Sequence, residues 1–317
     1  MLFSSAIKDE LTRRIPENAC CMMAELSAFI HVIGSIHITT GEERRISLQI
    51  RSESPGLVRK IFSLLKNAFN IHPEISYYKR MRLRKCNLYV IKVSGKSIVK
   101  RILSSLYLTI GDDLRLNRGL PLKLLSSDCC RRSYISALFV AAGSVVTPEK
   151  NYHLEIVVED LEYTKALMKL LEKYDVRLKI SQRKGKWVLY LKDAEEIVQF
   201  LAVMQVHKAV LDFENVRVLK DVRNQINRLV NCETANLSKS AYASMEQIND
   251  IHLIEENLVF KELPKNLQET ARLRLEYPYM NMRELAEMHS PPLTKSGVNY
   301  RIRRLQSIAE DLRNKKM

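Results

Sequence analysis

No apolar run in the 317-residue sequence reaches the roughly 18–20 residues needed to cross a bilayer. The N-terminal MLFSSAIKDELTRR carries charges where a signal peptide would have its apolar stretch. Together these absences predict a cytoplasmic chain with no membrane partner. Cysteine lacks the C-x-x-C spacing of zinc and redox motifs. The six cysteines are two adjacent pairs, Cys20–Cys21 and Cys129–Cys130, plus Cys86 and Cys232. Adjacent cysteines rarely bond each other, so free, partly buried thiols are expected in a reducing cytosol. The seven histidines show no H-E-x-x-H, and no carboxylate cluster falls at helical spacing. His31 and His37 therefore read as packed or surface histidines. Neither a metal nor a cofactor is expected, and no low-complexity tract interrupts the chain.

The charge that is present is of one sign and unevenly placed. The formal net charge is +15. Between Ser76 and Arg132, fourteen Lys/Arg face only Asp112, Asp113 and Asp128, whereas the stretch from Lys220 onward is nearly balanced. A basic surface in the first two-thirds of the chain suits a polyanion, with nucleic acid preferred to a merely solvated face.

The chain also repeats itself. CCMMAELSAFIHVIGSI from Cys20 and CCRRSYISALFVAAGSV from Cys129 align without gaps at an offset of 109, pairing Ser27 with Ser136, Ala28 with Ala137 and Gly34 with Gly143. Each copy predicts an apolar helix, small on one side and ended by glycine. Strand-like alternation follows at Ile46, Leu48 and Ile50, and again at Leu154–Val158. Amphipathic helices come next, over Val58–Phe69 and Thr164–Tyr174. Hairpins follow, Ile75–Tyr78 with Leu88–Val93, and Val176–Ser181 with Trp187–Leu191, and then helices Ile98–Leu106 and Ala194–Met204. A duplicated mixed unit over residues 1–222 is expected, with pseudo-repeats at about 20–107 and 129–205. A polar linker over 223–240, containing NCETANLSKS, and a helical module over 241–317 complete the expected organisation.

Within that module, Leu267–Tyr277 and Met282–Met288 predict two supporting helices, HSPPL a turn, and Thr294 or Ser296 a cap for the last helix. Val298, Ile302 and Leu305 form an apolar stripe on that helix. Ser296, Asn299, Tyr300 and Arg303 are expected on the opposite face, with Lys295, Arg301 and Arg304 placed for phosphates. Asn and Arg can pair bidentately with adenine and guanine in a major groove, so this reads as the recognition helix of a helix-turn-helix. The alternative is an ordinary surface helix in a small bundle. On the hairpin, Arg80, Arg82 and Arg84 alternate and are offered as DNA backbone contacts, or else as a basic edge that blocks strand aggregation.

LSAFIHVIG (Leu26–Gly34) and ISALFVAAG (Ile135–Gly143) resemble the paired motif helices of LAGLIDADG homing endonucleases, and the stiff Pro291–Pro292 turn resembles sigma-factor region 4. With the NCETAN segment and TKSGVNYRIRRL, the whole chain resembles the WhiA family of bacterial regulators. The resemblance implies an α+β fold: a duplicated, degenerate LAGLIDADG-like domain followed by an all-α helix-turn-helix domain. It implies transcriptional control of sporulation or cell division and chromosome segregation, on promoter DNA in the nucleoid, with other transcription proteins as further partners. Active LAGLIDADG enzymes carry an acid just before the motif's final glycine. Those positions here are Ile33 and Ala142, which cannot ligate a metal. No catalytic residue is therefore assigned. Two readings remain as alternatives: an endonuclease using unconventional acids such as Glu25, Asp128 or Glu149, and an RNA-binding, maturase-like splicing cofactor.

Overall fold

A computed structural model describes residues 3–39, 45–80, 86–109, 117, 119–257 and 260–315. The chain divides into two compact units, Met1–Lys220 and Asp221–Met317.

The first unit opens with α1 (Phe3–Arg13) and then runs twice through one pattern. The first pass is α2 (Ala19–Ile33), β1 (Gly34–Thr39), β2 (Arg45–Ser52), α3 (Pro55–Phe69), β3 (Glu74–Arg80), β4 (Cys86–Ser94) and α4 (Lys96–Ser105). The second is α5 (Asp128–Ala142), β5 (Gly143–Val145), β6 (Leu154–Val158), α6 (Leu161–Glu172), β7 (Lys179–Arg183), β8 (Lys186–Leu191) and α7 (Ala194–Val203). The two antiparallel sheets have the same strand order, β1-β2-β4-β3 and β5-β6-β8-β7. Even the register repeats: Gly34 pairs with Ile50 in one half, and Gly143 with Ile156 in the other.

Strands β1 and β5 are additions to the sequence reading, because the chain enters them at the motif glycine itself. Both glycines are extended, and each backbone N–H still bonds the preceding helix, Gly34 to Ile30 O and Gly143 to Phe139 O. A Cβ on Gly34 would lie 2.3 Å from Ile30 O, and one on Gly143 would lie 2.3 Å from the Phe139 ring. Only glycine allows so abrupt a change from helix to strand. Elsewhere the ends follow local chemistry. Ser54 Oγ accepts from Leu57 N ahead of α3, with Pro55 at its first position. Asp160 caps α6, and Asp193 caps α7. Lys184 and Gly185, both at positive φ, make the two-residue turn between β7 and β8.

Helices α2 and α5 pack against each other at the centre of the unit. Leu26, Ala28, Phe29 and Ile30 on one, and Ile135, Ala137, Leu138 and Phe139 on the other, are almost completely buried. Ile46, Leu48 and Ile50 from β2, with Leu154, Ile156 and Val158 from β6, close the core from the sheets.

The segment expected as a polar linker is helical. Helix α8 (His207–Glu256) starts in the first unit and includes all of residues 223–240. Its fifty residues contain neither glycine nor proline, so no residue stops the hydrogen-bond ladder. The polarity that suggested a linker reflects exposure, which is continuous over residues 221–243. In the second unit Ile251 and Ile254, near the end of α8, join a separate core with α9 (Lys265–Glu276), α10 (Met282–Glu287) and α11 (Lys295–Lys315).

Candidate nucleic-acid interface

The second unit is built around its last helix. Val298, Ile302, Leu305 and Ala309 are buried on the side of α11 that packs against α9 and α10. Thr294 caps the helix, its Oγ1 accepting from Gly297 N at 3.2 Å. Helix α10 begins with a reciprocal cap, in which Asn281 Oδ1 accepts from Glu284 N while Glu284 Oε2 accepts from Asn281 N. The turn between them contains a cis Ser290–Pro291 peptide. It is fixed from inside by His289, which is buried between Thr270 Oγ1 and Leu285 O, each at 2.9 Å.

Arg274 is the largest fully buried side chain. Its guanidinium donates to Met280 O at 2.7 Å and to Ser244 Oγ at 3.3 Å, while Ser244 Oγ donates to Pro278 O. Burial holds its pKa below the ordinary arginine value. It ties α8, α9 and the α9–α10 loop together from within. Nothing in the sequence separates it from the surface arginines around it.

The expected reading residues divide into two sets. Lys295, Ser296, Tyr300, Arg303 and Arg304 are exposed, and Tyr300 is 73% accessible. Successive residues turn by about 100° in a helix, so Ser296, Tyr300, Arg303 and Arg304 share one face. Asn299 is half-buried on its flank. Arg301 turns the other way: its guanidinium reaches Asn266 O at 3.2 Å, Thr270 Oγ1 at 3.4 Å and Glu269 Oε2 at 3.5 Å, leaving the side chain 19% exposed. Glu269 also accepts from Ser290 N. Arg301 is thus a brace between α11, α9 and the turn, where the sequence suggested a phosphate contact. The reason is its register, one position from the exposed face.

In the first unit, Arg80 ends β3 opposite Cys86, while Arg82 and Arg84 lie outside the described residues. The rest of β3 is exposed from Glu74 to Lys79, including Tyr77 and Tyr78. Ile33 and Ala142 sit half-buried at the ends of α2 and α5, packed against the core. The three nearby acids are engaged elsewhere. Glu25 is buried, with Oε1 2.8 Å from Lys60 Nζ. Asp128 accepts from Arg132 at 2.6 Å and from the Tyr174 hydroxyl at 2.7 Å, contacts that hold its pKa below the ordinary range. Glu149 is exposed and accepts from Thr147. His31 stacks on Tyr163 at 4.1 Å, and burial pushes its pKa down to about 4.

One cluster escaped the sequence reading. The thiols of Cys20, Cys21, Cys129 and Cys130 all lie within 4.8 Å of one another. Judged by spacing along the chain, no metal site was expected. The ligand-like set arises across the two halves instead. The signal that could have found it was the identical CC pair at the 109-residue offset: once α2 and α5 pack as equivalent helices, their first turns must meet.

A duplicated sheet-and-helix unit centred on two glycine-ended motif helices, joined in one chain to a helix-turn-helix unit, defines a degenerate LAGLIDADG-like protein with a DNA-binding type of module. Residues 19–109 match the WhiA N-terminal LAGLIDADG-like domain, residues 131–223 the WhiA LAGLIDADG-like domain, and residues 226–309 the WhiA C-terminal HTH domain. A probable cell division protein WhiA from Desulforamulus reducens is 42% identical over 316 residues, covering 100% of this chain and 98% of that protein. One from Natranaerobius thermophilus is 43% identical, covering 98% and 96%. The chain belongs to the WhiA family. The crystal structure of full-length WhiA from Thermotoga maritima shares its fold, with a TM-score of 0.57 at 23% identity over 98% of this chain and 99% of that one. Among the described residues, no helix is long and apolar enough to cross a membrane.

Proposed function

We propose that this protein is a sequence-specific DNA-binding transcription regulator, acting on promoter DNA in the nucleoid to control cell division, chromosome segregation or sporulation, and that it does not cleave DNA. The observation that carries the reading is α11. Its apolar stripe is consumed by packing, and Ser296, Tyr300, Arg303 and Arg304 are left together on the free face. That division is what a helix needs in order to rest on its own domain and read base edges in a major groove. The family match to an HTH domain and the relatives' cell division name point the same way. In the first unit, the solvent sides of the two sheets and the basic stretch around β3 supply backbone affinity.

Two-metal phosphodiester hydrolysis needs carboxylate oxygens at the ends of the motif helices. Ile33 and Ala142 supply none, and Glu25 and Asp128 are held by Lys60 and Arg132.

Selection of bound duplexes from a random pool by the full chain, at stated salt, should yield one enriched site. Substituting Ser296, Tyr300, Arg303 and Arg304 together should abolish the enrichment. Incubating the full chain with supercoiled and linear DNA in Mg²⁺ or Mn²⁺ should leave both intact. Nicking that disappears in Glu149→Ala would overturn the non-enzymatic reading, and stronger binding to structured RNA than to selected DNA would overturn the promoter reading.

A further inference from the structure

We propose that Cys20, Cys21, Cys129 and Cys130 form a tetrathiolate site for a structural zinc ion that joins the two halves of the duplicated domain at the first turns of α2 and α5. Four thiolates about 2.3 Å from one zinc stand about 3.8 Å apart at the corners of a tetrahedron. The four Sγ atoms already lie within 4.8 Å of one another, and Cys20 and Cys21 are 4.0 Å apart. Little movement separates this arrangement from coordination. Each half gives one buried thiol, Cys21 or Cys130, and one exposed thiol, Cys20 or Cys129, so the site is anchored in the core and open to an incoming ion.

The surroundings suit a dianionic zinc–thiolate centre. Neither Asn18 nor Ser127 makes a side-chain cap to its helix, and the positive ends of both helix dipoles lie at the cluster, where they favour negative sulfur. The Ser127 hydroxyl lies 3.3 Å from Cys129 Sγ. Arg14 and Arg132 line the same cleft as Cys21 and Cys129. Zinc binding displaces the four thiol protons to solvent, with no change in the oxidation state of sulfur. Four thiolates leave no open position, so the centre is structural. It stands at the far end of the helix pair from Ile33 and Ala142, about 20 Å away at 1.5 Å per residue.

Full-length protein purified under reducing conditions from zinc-supplemented cells, without a metal-affinity column, should carry one zinc per chain by elemental mass spectrometry. After exchange, cobalt should give the intense visible bands of a tetrahedral thiolate complex. Cys20→Ser and Cys129→Ser, both at exposed positions, should lose the metal and the bands while keeping the wild-type circular dichroism, and Cys232→Ser should retain both. Chelation should lower the melting midpoint of the wild type and not that of Cys129→Ser. Wild type with all six thiols titratable and no zinc, undiminished zinc in Cys20→Ser and Cys129→Ser, or a disulfide joining the two pairs in the reduced preparation would each overturn the proposal.

Discussion

Two neighbouring arginines on α11 should behave as different kinds of residue. Arg303 is exposed on the face shared with Tyr300, so Arg303→Ala should change folding stability by no more than about 0.5 kcal/mol. If it reads a guanine, the same substitution should weaken binding to the selected site by about 1–3 kcal/mol and relax preference at one base pair. Arg301 is turned toward α9 and donates to three acceptors at 3.2–3.5 Å. The long distances and the partial exposure of Glu269 discount its ion pair toward the lower range of surface pairs. Losing the donor to Asn266 O and Thr270 adds about one hydrogen bond's worth. Arg301→Ala should therefore cost about 1–2 kcal/mol in the second unit, roughly a 5- to 30-fold loss of amide-exchange protection across α9 and α11. Hydrogen exchange and salt titration of DNA binding on the full chain separate the two roles. If Arg301→Ala left protection unchanged and reduced the salt slope by about one phosphate, the brace would be wrong and the phosphate contact right.

Lys60 donates to Leu11 O, Arg14 O and Glu25, and one oxygen of Glu25 has no partner. Lys60→Met should destabilise the first unit by about 3–5 kcal/mol at alkaline pH, where it strands a buried carboxylate. Burial already raises Glu25 to about 7 against the pull of Lys60. Since this folded-state value lies above the unfolded one, near 4.3, protonation favours the native state. Removing Lys60 takes away the pull that holds Glu25 down, so the variant's deficit in urea unfolding should be constant below the wild-type value of about 7 and grow as pH rises above it; a deficit independent of pH would count against the carboxylate as its source. His31 gives the opposite slope, because burial lowers its folded value to about 4 while the unfolded value stays near 6.5. Its contribution is undiminished above about 6.5 and is lost progressively between 6.5 and 4, by up to about 3 kcal/mol. His31→Phe, which keeps a ring against Tyr163, should flatten that window, and an unaltered pH profile would refute the assignment.

Much of the fold was legible because duplication is a pattern in the sequence itself. The pairing of Leu48 with Leu154 and Ile50 with Ile156 at a shifted offset placed equivalent strands in equivalent sheets. The stripe Val298, Ile302 and Leu305 placed α11 face inward. What was not legible depended on three-dimensional neighbours. Residues 223–240 are polar because they are exposed, and polarity alone does not distinguish an exposed helix from a linker. Arg301 and Arg303 are chemically identical in the sequence, and their register relative to Asn266, Glu269 and Thr270 on α9 separates them. The cysteines were judged by spacing along one chain, whereas their proximity is created by packing between two copies.

The residues before the motif glycines of α2 and α5 are Ile33 and Ala142. Two carboxylates at positions 33 and 142 would be like charges at converging helix ends, favourable only with cations between them. Ile33 and Ala142 instead pack against the core. The cysteine ends of the same helices carry the opposite chemistry, four thiols within contact distance beside uncapped helix termini. Zinc bound there fastens the two halves at the cysteine ends of the helices, away from the motif glycines. Chelating the full chain should then loosen the α2–α5 pair from its cysteine end, detected as faster amide exchange in the first turns of both helices ahead of the rest of the unit.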